Sequence, residues 1–146
     1  CIRDRAKGIA SGVPAGAVFV HEAIAPRIGH GEQGTTFGGA PLASAAIAAT
    51  AAVIEDEDLP GNARDVGAAL VDALCGLDGV RSVSGRGLLL GIDLDRPARP
   101  VVTALRERGI LTGTSGDPQQ VRLLPPLPLT RDEALTLVPA LAEVLA

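Results

Sequence analysis

The sequence predicts an α/β chain in which short apolar strands alternate with amphipathic helices, and three observations carry that reading. Val66, Leu70, Leu74 and Leu77 recur at three- and four-residue spacing along 61–77, the period of a helix that buries one face. Short apolar runs, "AGAVFV" at 15–20 and "LLLGIDL" at 88–94, have strand length. The composition is 47% hydrophobic and 21% charged, which supplies a core and excludes a disordered chain.

The elements follow in order. Residues 8–16, rich in Gly, Ser and Pro, read as a loop, and 15–20 as a buried strand. "HEAIAPRIG" gives a helical turn or two before a second Gly-rich loop, "HGEQGTTFGGAP". Pro41 suits the first position of a helix, which the alanines of "PLASAAIAATAAVIEDE" continue. The acidic run Glu55 to Asp58 is a solvated helix end, with the helix stopping there or a new one starting at Asp58. A second helix spans 61–77. Two strands joined by Gly85, Arg86 and Gly87 cover 80–94. "PVVTALRERG" is a helix stopped by Gly109. Short strands at 110–113 and 120–126 precede a closing helix, where Thr130 and Glu133 have capping-box spacing. The expected division is 1–56 and 57–146, the latter a compact α+β unit.

Several function classes are excluded by composition. A net charge of −4 argues against a nucleic-acid partner, which calls for a clustered basic face. The longest alanine-rich stretch, 41–54, falls short of the roughly 18 to 20 apolar residues of a membrane span. Cys1 and Cys75 form no disulfide framework and no metal pattern, and His21 and His30 are not spaced with acids or cysteines as ligands. No metal is expected, and the setting is a reduced cytoplasm. Cys75 reads as an inert core residue on the apolar side of its helix. A chain with no methionine that starts at Cys1 is expected to be the C-terminal part of a longer protein.

The chemistry centres on Lys7. It is the only lysine; the other twelve of the 13 basic residues are arginine. A guanidinium stays protonated, whereas a primary amine can lose its proton and attack a carbonyl. One amine kept among glycines in "RAKGIASGVPAG" therefore points to covalent chemistry rather than to surface charge. The loop "GTTFGG" sets the hydroxyls of Thr35 and Thr36 just ahead of a helix N-terminus, an arrangement that suits a phosphate. An amine and a hydroxyl-rich anion loop together point to pyridoxal phosphate.

"AKGIASGVPAGAVFV" followed by "HGEQGTTFGGAPLASAAIAAT" resembles the class III aminotransferases, fold type I pyridoxal 5'-phosphate enzymes, and most of all their acetylornithine type. The likeness continues through "VSGRGLLLGIDL" and "VRLLPPLPLT". It implies the C-terminal part of that fold: the end of the large cofactor-binding domain at 1–56 and a complete α+β small domain at 57–146. It implies that Lys7 forms the internal aldimine and shuttles the proton between the substrate's alpha carbon and the cofactor. It further implies that Thr36 binds the cofactor phosphate from the neighbouring subunit of a homodimer, that Thr35 touches the substrate, and that Arg122 lies near the active-site mouth, able to pair with a carboxylate. The implied reaction moves an amino group from N-acetylornithine to 2-oxoglutarate. Other class III substrates (ornithine, succinylornithine, amino-adipate types) share these motifs, and a non-catalytic remnant is the contrasting reading.

Two departures accompany the resemblance. Ala40 stands where the family carries asparagine, at a cost of about 0.5 to 2 kcal/mol of local capping, and Gly31 to Gln33 alter the threonine loop. The family's stacking ring, the aspartate of the pyridine nitrogen and the arginine of the substrate's alpha-carboxylate precede the lysine and match nothing in these 146 residues.

Overall fold

The computed structural model describes residues 2–5, 7–32, 34 and 39–146, with 2–5 as backbone alone. The chain divides into two units, Cys1–Glu57 and Asp58–Ala146.

In the first unit, strand β1 (Ile2–Arg5) pairs antiparallel with β2 (Ala17–Val20). Between them lies a 3-10 turn, Lys7–Ala10, inside the stretch whose glycines suggest only loop. This turn packs against helix α1 (Pro41–Asp56). Pro41 opens α1 as its spacing predicts, and Ala40 at the N-cap offers no side-chain bond. Ala10, 1% exposed, is the one buried residue described here. The expectation that 15–20 forms a buried strand is corrected: Val18 and Phe19 are 59% and 63% exposed. Among the described residues β2 is paired on one edge only, by β1, and nothing in its unit covers those side chains. Apolar content alone does not bury a strand without a layer to pack on.

The second unit has the core. Helix α2 (Leu59–Leu74) starts two residues before its apolar pattern suggests, because Asp58 caps it: the Asp58 carboxylate accepts from the Gly61 N–H at 3.2 Å. Strands β3 (Val80–Arg86) and β4 (Leu89–Leu94) form the expected hairpin. Helix α3 (Ala98–Glu107) then crosses to β5 (Gly113–Thr114) and β6 (Gln120–Leu123). The sheet order is β3-β4-β6-β5, antiparallel throughout. Alternation along the strands turns Leu90, Ile92, Leu94, Val121 and Leu123 toward the helices, all buried with Val66, Leu70, Leu74 and Leu105. The opposite face carries Ser82, Asp93, Gln120 and Arg122.

The closing helix is two pieces, α4 (Arg131–Leu135) and α5 (Leu137–Leu145). Pro139 has no N–H for the Leu135 carbonyl, which favours a break there; Thr136 instead bonds back to Glu133 O through its N–H and its hydroxyl. The capping box at Thr130 and Glu133 is present. Cys75 is a second correction: it is the C-cap of α2, one residue past buried Leu74, and is exposed. No described helix is long and apolar enough to cross a membrane.

Candidate functional site

Lys7 opens the 3-10 turn with φ of 57°, and Ser11, just past its end, has φ of 46°. Both are left-handed conformations in residues that carry a Cβ, and each costs roughly 1 to 3 kcal/mol that the surrounding structure must offset. Strain of this kind concentrates where a side chain must be presented in a set direction. The turn is closed by Ser11 N–H to Gly8 O at 3.2 Å and Val13 N–H to Ala10 O at 3.0 Å. Lys7 itself is exposed, and no described residue forms an ion pair with it.

Thr35 and Thr36 lie outside the described residues. The helix that follows them, α1, begins at Pro41 and returns to the lysine turn at its far end, where Thr50 and Ser11 are hydrogen-bonded. Sequence reading missed Ser11 and Thr50. Their separation of 39 residues leaves no local signal, and serine is not among the residue types that favour the left-handed region.

Arg122, in the second unit, is exposed on the open face of β6. Its register partners on both sides are glycines, Gly91 on β4 and Gly113 on β5. Its guanidinium lies across Gly113, where a Cβ would meet Nη2 at 3.6 Å. An acid on the same face, Asp93, is already occupied: Ser82 donates to one carboxylate oxygen at 2.6 Å and Gln120 to the other at 2.7 Å. Those two donors, Ser82 above all, hold the Asp93 carboxyl below its ordinary range against a small opposing effect of burial. The guanidinium has no ion pair among the described residues, and Arg122 is one of the residues lining a cleft of about 460 Å³, together with Leu70, Ile110, Thr112, Leu124 and Glu133. Such a side chain can take a carboxylate in bidentate fashion. Of the four residues singled out in the sequence, Lys7 alone is described in the first unit and Arg122 in the second.

The chain as a whole is similar to known proteins. The chain is 47% identical to acetylornithine aminotransferase 1 of Bordetella pertussis, over 97% of its own length and 38% of that protein's. It is 39% identical to the ornithine aminotransferase of an Exiguobacterium species, over 96% of the chain and 36% of the relative. An amine transaminase from an uncultivated Pseudomonas species, solved in its PLP-bound internal aldimine form, superposes with a TM-score of 0.82 at 34% identity, covering 99% of this chain and 38% of that one. The chain therefore spans well under half the length of the curated relatives it matches. Its α/β fold is that of the corresponding part of fold type I aminotransferases. The profile described as "Aminotransferase class-III" matches residues 2–145, and the chain belongs to the class III aminotransferase family.

Proposed function

We propose that this chain is the C-terminal part of an acetylornithine-type aminotransferase, with 1–56 ending the large domain and 57–146 forming the small one. The observation that carries the reading is Lys7: a single lysine, exposed, held at φ of 57° in a 3-10 turn. Its amine has no carboxylate partner among the described residues, so it fits a cofactor that presents an aldehyde. Pyridoxal 5'-phosphate, when bound, supplies an electron sink for the bond broken beside the substrate's amino group.

This chain's own residues would do the rest. Lys7 Nζ would hold the cofactor and carry the proton removed from the substrate's amino-bearing carbon. The Thr36 hydroxyl would donate to the cofactor phosphate from the neighbouring subunit of a homodimer, and Thr35 would contact the substrate. Arg122, flanked by glycines and in no ion pair among the described residues, would pair with a substrate carboxylate. The donor would be N-acetylornithine and the acceptor 2-oxoglutarate, in the cytoplasm.

The likeness to an ornithine aminotransferase supports a second donor, unacetylated ornithine. Amino transfer by the complete protein to 2-oxoglutarate, followed with each donor separately, tests the reading. A higher kcat/KM for N-acetylornithine is expected. Preference for ornithine would select the second donor, and no transfer from any ω-amino donor would leave the non-catalytic remnant.

A further inference from the structure

We propose that Ser11 and Thr50 are positioning residues for Lys7: their hydroxyl contact ties the strained lysine turn to helix α1 and sets the direction in which the amine is presented. The inference rests on the reading of Lys7 given above. The Ser11 and Thr50 hydroxyls are 3.1 Å apart. Thr50 Oγ1 also lies 2.8 Å from the Ala46 carbonyl oxygen of its own helix. A hydroxyl has one proton. The shorter, carbonyl-directed contact takes the proton of Thr50, which leaves Ser11 as donor to Thr50 Oγ1.

The geometry gives this contact its consequence. Left-handed residues bracket the turn, Lys7 at its start and Ser11 just beyond its end. Neither is glycine, so both relax toward negative φ unless something holds them. The turn packs against α1 with Ala10 buried, and this hydroxyl pair is the one side-chain hydrogen bond between turn and helix among the described residues. Burial of a methyl is non-directional. The pair is the directional part, and it acts on Ser11, the residue whose φ must stay positive. Releasing it lets φ relax at both ends of the turn and re-aims the Cα–Cβ bond of Lys7. The tie also makes α1 a shared support, since the helix begins five residues after Thr36 in the chain.

The test uses the complete enzyme, stripped of cofactor and mixed with pyridoxal 5'-phosphate itself. Trapping with borohydride at timed intervals and peptide mapping give the rate at which Lys7 is labelled; absorbance against pH gives the titration midpoint of the bound cofactor. Thr50→Val and Ser11→Ala should each slow labelling about threefold to tenfold, the worth of one hydrogen bond at 1.4 kcal/mol per decade, and shift the midpoint. The double variant should be no slower than either single one, since both remove the same contact, and Thr50→Ser should restore rate and midpoint. Lys7 labelled in all variants at the parent's rate and midpoint would overturn the inference while leaving the function proposed above intact. A parent labelled elsewhere than Lys7 would overturn both.

Discussion

Gly67 of α2 and Gly87 of the β3–β4 turn meet backbone to backbone: a Cβ on Gly67 would overlap the Gly87 carbonyl oxygen and its carbon. The contact seats the hairpin on the helix, and through β4 it sets the strand against which β6 and Arg122 are registered.

Gly67→Ala should therefore destabilise the second unit, even though alanine favours a helix by close to 1 kcal/mol over glycine. The clash is with main chain, which no rotamer relieves, and overpacking of this kind costs about 1 to 3 kcal/mol. A lower urea midpoint for the whole chain is expected. Gly76→Ala, where an added Cβ meets nothing within 4 Å, should leave the midpoint unchanged.

Acid should weaken the same unit through Asp93. Its carboxyl is held below the ordinary range first by Ser82 and then by Gln120. A depressed folded-state value means that the folded chain binds this proton less readily than the unfolded chain. The contribution is therefore complete above the ordinary carboxylate range and is lost as pH falls through the folded value. Asp93→Asn should flatten the acid limb of stability against pH, measured by urea midpoints. An unaltered acid limb would mean that the Ser82 and Gln120 bonds contribute nothing.

Proteolysis should separate the two units. Among the described residues every buried hydrophobic except Ala10 belongs to Asp58–Ala146, and opening is easiest where little apolar surface is buried. Limited digestion of the chain with a protease of broad specificity such as subtilisin should cut within 1–57 first and leave a resistant fragment close to 58–146. Early loss of the second unit would contradict this.

Thr36→Ala in the complete enzyme should weaken pyridoxal 5'-phosphate binding about tenfold to a hundredfold. A hydroxyl bonded to an anion is worth roughly 1.5 to 3 kcal/mol, at 1.4 kcal/mol per decade. Cofactor titration by absorbance reads it, and unchanged affinity would remove Thr36 from the site.

What the sequence made legible was local. Pro41 at a helix start, the Thr130 and Glu133 capping box and the α2 face at Val66, Leu70 and Leu74 each depend on neighbours a few residues apart, and each stands in the structure. The hairpin also stands, but its turn is Gly87 and Leu88, with Gly85 and Arg86 paired inside β3. Lys7 stood out by composition, but its left-handed φ did not, because glycine-rich spacing suggests a loop without fixing which residue is strained. Cys75 was misread by a single residue at a helix end, where the turn from apolar face to cap is not written in periodicity. The Ser11 and Thr50 contact and the overlap of Gly67 with Gly87 are long-range, and a glycine in mid-helix reads as weakness until its neighbour is known.

The most direct test of the account is where the cofactor attaches. The complete enzyme, saturated with pyridoxal 5'-phosphate, reduced with borohydride and digested, should give a pyridoxyl group on the peptide containing Lys7, and Lys7→Arg should lose both the label and amino transfer, since arginine keeps the charge without the reactive amine. A pyridoxyl group on another peptide, or full turnover by Lys7→Arg, would contradict the assignment of Lys7 as the centre of the site.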